Sequence, residues 1–225
     1  MTRPCLLYYI TDRSQFSGHE SARRGALLAK IAEAARANVD YIQLREKDLS
    51  AKALEILARD ALTVLGKSAT PGSESREART RLLINSRTDI ALAAEADGVH
   101  LRSDDVAVHE VRQVLRVTHW PPNTGSFLVA TSCHTTADVQ RAESENVDFA
   151  VFAPVFGKKG SSGTPPAGLA LLREAGRAKT PLLALGGVTL ANAASCLEAG
   201  AAGIAGIRLF QENRIEDVVR ALRAH

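Results

Sequence analysis

Asn38-Val39-Asp40-Tyr41-Ile42 is the stretch that decides the fold, because three other stretches of the chain repeat its pattern. They are Ala96-Asp97-Gly98-Val99-His100, Asn146-Val147-Asp148-Phe149-Ala150 and Ala201-Ala202-Gly203-Ile204-Ala205. In each, a helical pattern ends in small or polar residues and a strand-like apolar run follows. The pattern returns about every 50 to 60 residues, the length expected for two strand–helix units. Four copies of a two-unit block predict eight strands.

The rest of the chain supports this count. Short apolar runs predict strands at 6–10, 40–45, 81–85, 98–101, 127–131, 148–152, 182–185 and 203–207. Longer amphipathic segments predict helices near 20–38, 50–66, 88–96, 105–116, 136–146, 168–178, 189–199 and 212–223. Alternating strands and helices imply parallel pairing. We therefore expect one (β/α)8 barrel domain over residues 1–225; an open doubly wound sheet explains neither the recurrence nor the count.

Composition narrows the function classes. The chain has 225 residues, of which 45% are apolar and 24% charged, and its net charge of +3 is spread without a dense basic run. This argues against nucleic acid as the main partner. No apolar run approaches the roughly 18 residues of a membrane span, and the N-terminus lacks the order of a signal peptide. The widely spaced Cys5, Cys133 and Cys196 fit reduced thiols in the cytoplasm. A homo-oligomer is compatible with this composition.

Two polar segments interrupt the repeating pattern. Residues 67–79 are polar and rich in turn-forming residues, which predicts a flexible insertion between the second helix and the third strand. Residues 119–125 before the fifth strand have the same character. Both are helix-to-strand connections at the bottom of a barrel, so we expect neither to contribute to function.

Nearly every polar or glycine-rich signature follows the carboxyl end of a predicted strand, where barrels carry their active sites. Gln43, Arg45 and Lys47 are spaced two apart, and residues so spaced in a strand share one face. An amide and two cations in a row indicate either a solvent-exposed face or a site for a polyanion such as a diphosphate. Gly186-Gly187 and Gly206-Ile207-Arg208 follow the seventh and eighth strands, where barrels bind phosphate; the alternative is that the two glycines only permit a tight turn.

Other strand ends offer a metal and a proton carrier. Asp104 and Asp105 could hold Mg²⁺, with one of them capping the fourth helix and the other free. Asn85 and Ser86, after the third strand, add neutral oxygen donors. His134, after the fifth strand, could serve as a general acid or base, or as a hydrogen-bonded strand-end residue. His100 is expected inside the barrel, and Cys133 has no base partner that would make it a nucleophile.

Taken together, these residues resemble the thiamine-phosphate synthase/TenI superfamily of (β/α)8 barrels. The resemblance covers almost the whole chain and rests on Tyr9-Ile10-Thr11-Asp12, Gln43-Leu44-Arg45-Glu46-Lys47, Leu83-Ile84-Asn85, Ala96-Asp97-Gly98-Val99-His100-Leu101, Ser132-Cys133-His134-Thr135, Pro154-Val155-Phe156 and Leu185-Gly186-Gly187-Val188. It implies a transferase that joins a hydroxymethylpyrimidine diphosphate to a thiazole phosphate, with Mg²⁺ on the leaving diphosphate. Its partners would be small phosphorylated molecules.

The resemblance also implies roles for particular residues. Gln43, Arg45, Lys47 and Asn85 would hold the pyrimidine diphosphate, and Ser132 would lie near the pyrimidine. Arg45, Lys47 and Ser132 would act in catalysis, and Asp105 would bind Mg²⁺ with Ser86 as a weak second ligand. The full predicted binding set is Gln43, Leu44, Arg45, Glu46, Lys47, Asn85, Ser132, Lys158, Lys159, Gly186, Gly187, Gly206, Ile207 and Arg208.

Three positions depart from the synthase pattern. Synthases usually have Asp where this chain has Ser86, and Ser where it has Arg208. Their Thr-x-Thr-Lys loop after the sixth strand is replaced by Gly157-Lys158-Lys159-Gly160-Ser161-Ser162. A TenI-like thiazole tautomerase tolerates all three departures and would use His134 as its acid and base, but it explains the three-residue row less well. A relative that binds thiamine precursors without turnover is a third alternative.

Overall fold

The computed structural model describes residues 5–68, 80–117, 127–157 and 165–224. Its eight strands are β1 (Leu6–Ile10), β2 (Tyr41–Leu44), β3 (Arg81–Asn85), β4 (Gly98–Leu101), β5 (Leu128–Cys133), β6 (Phe149–Phe152), β7 (Leu182–Ala184) and β8 (Gly203–Gly206). Neighbouring strands pair in parallel in sequence order, and β8 pairs with β1, so the sheet closes into a barrel. The predicted (β/α)8 barrel is confirmed.

Helices separate the strands as the amphipathic pattern predicted. They are α1 (Glu20–Arg36), α2 (Ala51–Ser68), α3 (Thr88–Ala93), α4 (Val108–Val117), α5 (Thr136–Ser144), α6 (Gly168–Ala175), α7 (Ala193–Glu198), α8 (Arg208–Gln211) and α9 (Ile215–Arg223). A 3₁₀ turn, Arg13–Gln15, follows β1. The prediction that Asp104 or Asp105 caps the fourth helix is wrong, because α4 begins only at Val108.

The sequence repeat has a structural cause at the bottom of the barrel. Helices α1, α3, α5 and α7 are each followed by a residue with a left-handed backbone: Asn38, Glu95, Asn146 and Gly200, with φ of 58°, 59°, 54° and 95°. The next N–H then returns to a carbonyl five residues back, as in Val39 to Ala34 at 3.0 Å. This is the Schellman arrangement that ends helices. It fixes how the chain turns from each of these helices into the next strand.

An aspartate completes three of the four repeats. Asp40, Asp97 and Asp148 each precede an even-numbered strand, and each accepts a hydrogen bond from the second residue of the preceding odd-numbered strand. The distances are 2.8, 2.9 and 2.7 Å. The fourth repeat has Ala202 at this position. The carboxylates therefore tie β1, β3 and β5 to the start of the following strand.

Alternating strand residues divide the apolar interior into two cores. One lies between the strands and the helices and includes Tyr9, Ile42 and Leu44. The other fills the barrel and includes Tyr8 and Phe149, whose rings meet edge to face at 5.1 Å. These two rings and the Tyr41 ring packed against them fill the middle of the barrel. The polar side chains above them therefore lie over a packed core rather than a pore.

Most of the two predicted polar insertions lies outside the described residues, which omit 69–79 and 118–126. The helical backbone of α2 continues two residues beyond the predicted end, to Ser68. Among the described helices, none has the length and apolar character that crossing a membrane requires.

Candidate functional site

A buried ion cluster fixes the loop that leaves β2. Glu46 accepts hydrogen bonds from the Thr11 hydroxyl at 2.6 Å and from the backbone N–H of Arg13 at 3.0 Å, and its Oε2 lies 3.1 Å from the Arg13 guanidinium. Arg13 also forms a two-pronged ion pair with Asp48, at 2.6 and 2.8 Å. Burial raises the pKa of Glu46 despite these partners. Glu46 therefore positions the loop, and its oxygens face protein rather than the mouth of the barrel.

The loop held in this way carries two cations that lie near a third. The neighbouring Arg45 is the largest cause of the lowered pKa of Lys47, and Arg102 contributes in the same direction. Burial and Arg102 also lower the pKa of Arg45, against the attraction of Asp12 and Glu46. Cations that disfavour one another's charge are stabilised when an anion binds among them. Arg45, Lys47 and Arg102 form what we call the rim cations.

The prediction that Gln43, Arg45 and Lys47 share one face of a strand is wrong, because only Gln43 lies in β2. Strand β2 ends at Leu44, so Arg45 and Lys47 belong to the following loop. The Leu44 side chain packs into the core beneath the helices and is fully buried, which leaves only its backbone near the rim. Gln43 points into the barrel and is 2% exposed.

A chain of four polar side chains crosses the barrel interior from Gln43. Gln43 Nε2 donates to the Tyr8 hydroxyl at 3.1 Å, and that hydroxyl lies 3.3 Å from His100 Nδ1. His100 Nε2 lies 2.9 Å from Ser132 Oγ. His100 is buried as predicted, and burial together with the charge of Arg45 lowers its pKa to about 3. We call Gln43, Tyr8, His100 and Ser132 the interior relay.

The predicted metal ligands lie at the ends of neighbouring strands β3 and β4. The Asn85 amide donates to Ser86 Oγ at 3.1 Å, and Ser86 has a left-handed backbone with φ of 60°. Asp105 accepts from the Arg102 N–H at 2.7 Å, and its other oxygen lies 3.5 Å from Arg102 Nε. Asp104 pairs with the same arginine at 2.8 Å. No cluster of three or more His, Cys, Asp or Glu side chains suited to a metal occurs among the described residues.

The glycines after β7 are needed for packing as well as for a turn. Both have left-handed φ, 97° at Gly186 and 63° at Gly187. A Cβ on Gly186 would lie 2.7 Å from Pro154, and one on Gly187 would lie 2.8 Å from the Cβ of Phe156. They let the β6 loop pack closely against β7. The backbone N–H groups of Gly187, Ile207 and Arg208 have no acceptor within the described part of the chain, so the predicted phosphate-binding role stays a prediction that the geometry permits.

His134 lies on the exposed rim after β5 and is held by hydrogen bonds on two sides. Its backbone N–H donates to Asp138 at 3.0 Å, and its Nδ1 lies 2.6 Å from the carbonyl oxygen of Ala153. A carbonyl only accepts, so Nδ1 carries the proton. In the neutral ring Nε2 therefore keeps a lone pair that is free to take a proton.

The structure thus gathers most of the predicted residues at one end of the barrel. Arg45 and Lys47 lie near Arg102, which contacts Asp105, and Gln43 and Ser132 belong to the interior relay. Gly206 ends β8, and Ile207 and Arg208 open the four-residue α8. Lys158 and Lys159 lie outside the described residues.

Residues that the sequence did not identify complete the site: Tyr8, Arg13, Arg102 and Gln211. Gln211 accepts from the Asp12 N–H at 2.8 Å and donates back to its carbonyl at 3.0 Å, which joins α8 to the β1 loop. The only signal available in the sequence was their position after, or within, a strand that leads to the rim.

The fold and the rim define a (β/α)8 barrel whose mouth carries a group of cations above a neutral polar interior. Residues 7–210 match the family described as thiamine monophosphate synthase, and the chain belongs to that family. The thiamine-phosphate synthase of Methanoculleus marisnigri is 35% identical over 96% of this chain and 93% of its own length. That of Roseiflexus castenholzii is 34% identical over 89% and 78%.

A solved structure agrees on the fold. The thiamine phosphate pyrophosphorylase from Pyrococcus furiosus superposes with a TM-score of 0.75, covering 99% of this chain and 96% of its own, at 22% identity. At that identity the likeness bears on the fold alone.

Proposed function

We propose that this chain is a thiamine-phosphate synthase that joins hydroxymethylpyrimidine diphosphate and thiazole phosphate to give thiamine phosphate and diphosphate. The observation that carries the proposal is the group of rim cations. Arg102 lowers the pKa of both Arg45 and Lys47, and Arg45 lowers that of Lys47 further, so this concentration of positive charge provides for a polyanion rather than a single phosphate. Family membership and the named relatives support the same activity. We place the reaction in the cytoplasm, where these small phosphorylated substrates would be its partners.

The chemistry separates charge at the leaving group. The bond between the pyrimidine methylene carbon and the diphosphate oxygen breaks, and the electron pair leaves with the diphosphate. The thiazole nitrogen then forms the new carbon–nitrogen bond with the pyrimidine cation. Arg45 and Lys47 stabilise the charge that develops on the diphosphate because they are fixed there before the bond breaks. The buried Glu46–Arg13 pair keeps the loop that carries them in place.

The residues after β3 and β4 fit Mg²⁺ as a ligand set that substrate completes. Mg²⁺ is held in many phosphate sites by one or two carboxylates together with substrate oxygens and water. Asp105 offers a carboxylate and Ser86 a neutral oxygen, in the loops that follow the neighbouring strands β4 and β3. When bound there, the ion would neutralise charge on the leaving diphosphate. Asp105 would hold the ion in place of its 3.5 Å contact with Arg102 Nε, while Arg102 would keep its pairing with Asp104.

A thiazole tautomerase is the second candidate, and one observation favours it. The hydrogen bond from His134 Nδ1 to the Ala153 carbonyl fixes the ring and leaves Nε2 able to accept and return a proton. That is the proton carrier an aromatising isomerase requires. It leaves the rim cations without a diphosphate to bind, which is why we rank it second.

Two alanine variants separate the candidates. Purified protein is mixed with the pyrimidine diphosphate, thiazole phosphate and Mg²⁺, and thiamine phosphate is measured. Lys47→Ala should lower kcat for synthesis by about 10²-fold or more and leave isomerisation of the thiazole carboxylate phosphate nearly unchanged. Lys52→Ala, an exposed lysine on α2, is the control for loss of one positive charge.

His134→Ala should have the opposite pattern, with synthesis retained and isomerisation lost. Absence of thiamine phosphate from a preparation that still isomerises the thiazole would overturn the synthase proposal. If neither reaction occurs and the precursors still bind, the chain is a binding protein without turnover.

A further inference from the structure

The interior relay has a direction that its donors and acceptors determine. An amide nitrogen only donates, so Gln43 Nε2 gives a proton to the Tyr8 oxygen. The Tyr8 hydroxyl then has one proton of its own to place. Among the described residues its other partner is His100 Nδ1, 3.3 Å away. Tyr8 therefore donates to His100, and His100 Nδ1 accepts.

The direction continues through the imidazole. His100 is neutral because burial and Arg45 disfavour its charged form and lower its pKa to about 3. A neutral imidazole whose Nδ1 accepts carries its single proton on Nε2. This proton points to Ser132 Oγ at 2.9 Å. The serine oxygen thus already accepts a hydrogen bond from below, and its own proton is left to donate elsewhere.

Ser132 is half-buried at the upper end of β5, so that proton faces the barrel mouth. We propose that Tyr8 and His100 are positioning residues that make Ser132 a hydrogen-bond donor to a neutral acceptor atom of the substrate, a ring nitrogen of the pyrimidine. This rests on the proposed synthase function and deepens it. The surroundings favour a neutral ring because the relay is uncharged and lies over apolar side chains such as Val151. The rim cations provide for the charged part of the substrate.

The reverse arrangement leaves a buried proton without a partner. If Ser132 donated inward to His100 Nε2, Nδ1 would carry the proton and donate to Tyr8. The Tyr8 hydroxyl proton would then face the Gln43 amide, which also donates. Tyr8 is fully buried, and an unpaired buried hydroxyl is unfavourable. The hydroxyl of Tyr8 is therefore what excludes the reverse direction.

The first test is independent of enzymatic activity. Full-length protein with ¹⁵N-labelled histidine is observed by long-range ¹H–¹⁵N NMR between about pH 5 and 8, where free histidine titrates. His100 is assigned by its loss in His100→Gln. We expect a neutral ring protonated on Nε2 throughout, and a mixture of both tautomers in Tyr8→Phe. A proton on Nδ1, or a doubly protonated ring, in the unmodified protein overturns the proposal.

Tyr9→Phe is the matched control. Tyr9 is the next residue of β1 and is equally buried, but it faces the other core, and its hydroxyl has no partner within the described residues. Removing that hydroxyl should leave the His100 spectrum unchanged. A general loosening of β1 would change the spectrum in both variants, which would count against a specific role for Tyr8.

The second test asks whether Tyr8 acts through Ser132. With the pyrimidine diphosphate as varied substrate, Tyr8→Phe should lower kcat/KM by about three- to tenfold, the usual worth of one hydrogen bond. In a Ser132→Ala background the same change should have no further effect. An equal loss in both backgrounds would mean a structural role and overturn the proposal.

The two tests also separate this proposal from the proposed function. If no synthesis occurs but His100 keeps its Nε2 proton, the direction of the relay stands, and the synthase and its pyrimidine contact fail together. If synthesis occurs and the tautomers are mixed, the synthase proposal stands and the positioning role fails.

Discussion

His100 should make the stability of this protein depend on pH over a range in which its acidic residues contribute little. The folded barrel holds the imidazole neutral because burial lowers its pKa to about 3. In the unfolded chain the pKa returns to about 6.5. Between these values the unfolded state binds the extra proton, so stability falls as the pH falls.

The size of the effect follows from the two pKa values. Relative to a residue that does not titrate, protonation of the unfolded state costs the fold about 0.2 kcal/mol at pH 7 and about 2 kcal/mol at pH 5. Any folded pKa below about 4 gives nearly the same difference, so the prediction does not depend on the extent of the shift. The expected loss on acidification from pH 7 to pH 5 is about 1.8 kcal/mol.

Urea unfolding at the two pH values measures this loss. His100→Gln replaces the ring with an uncharged amide, and it should lower stability at both pH values while removing about 1.8 kcal/mol of the pH dependence. The comparison cancels the contributions of the other histidines, which both proteins share. An identical pH dependence in the two proteins would mean that folding does not lower the pKa of His100, and the argument that the relay holds a neutral ring would be refuted with it.

Three further substitutions test the fold beneath the site. Gly98→Ala should lower the free energy of unfolding by about 3 kcal/mol or more, since the new Cβ would lie 2.3 Å from the Leu128 carbonyl oxygen. Gly25→Ala should instead raise the free energy of unfolding by about 0.5 to 1 kcal/mol, because no atom lies within 4 Å of its new Cβ. Equal urea midpoints for the two variants would contradict this. Glu46→Gln should cost about 2 to 3 kcal/mol, because Arg13 loses a buried counterion, and should also lower kcat/KM for synthesis; an unchanged unfolding curve would show that Asp48 alone satisfies Arg13.

The barrel could be predicted because each repeat carries the same short sequence pattern where a helix ends and the next strand begins. A left-handed residue ends the helix, and the aspartate that follows by two positions ties the coming strand to the one before it. The helix end depends on neighbours in sequence, and the aspartate stands at a fixed offset from it, so together they leave a recognisable pattern at Asn38, Asn146 and their equivalents. The partner of the aspartate is distant, since Leu7 lies 33 residues before Asp40, but the pattern can be recognised without it. The bounds of the elements were less predictable: the turn at Arg102–Asp105 delays the start of α4.

The site was predicted in position more than in detail, because its contacts join distant parts of the chain. Glu46 was expected to bind substrate with its neighbours, but a charge in a sequence does not reveal its partner. The partner is Arg13, 33 residues away, and the pair is buried. In the same way, Tyr8 meets His100 across 92 residues, so nothing near either one indicates the relay.

The same geometry bears on the choice between synthase and tautomerase. The rim cations follow β2 and β4, whereas His134 follows β5 and contacts the β6 loop. The two candidate sets of groups therefore do not share residues, and the presence of one does not weaken the case for the other. What distinguishes them is the charge of the substrate. In our proposal the N–H groups after β7 and β8 would suffice for a substrate with a single phosphate. The partly desolvated Arg45, with Lys47 beside it, is costly to maintain unless a second and more highly charged group binds there. A diphosphate meets that requirement, and this is the physical reason to place synthesis first.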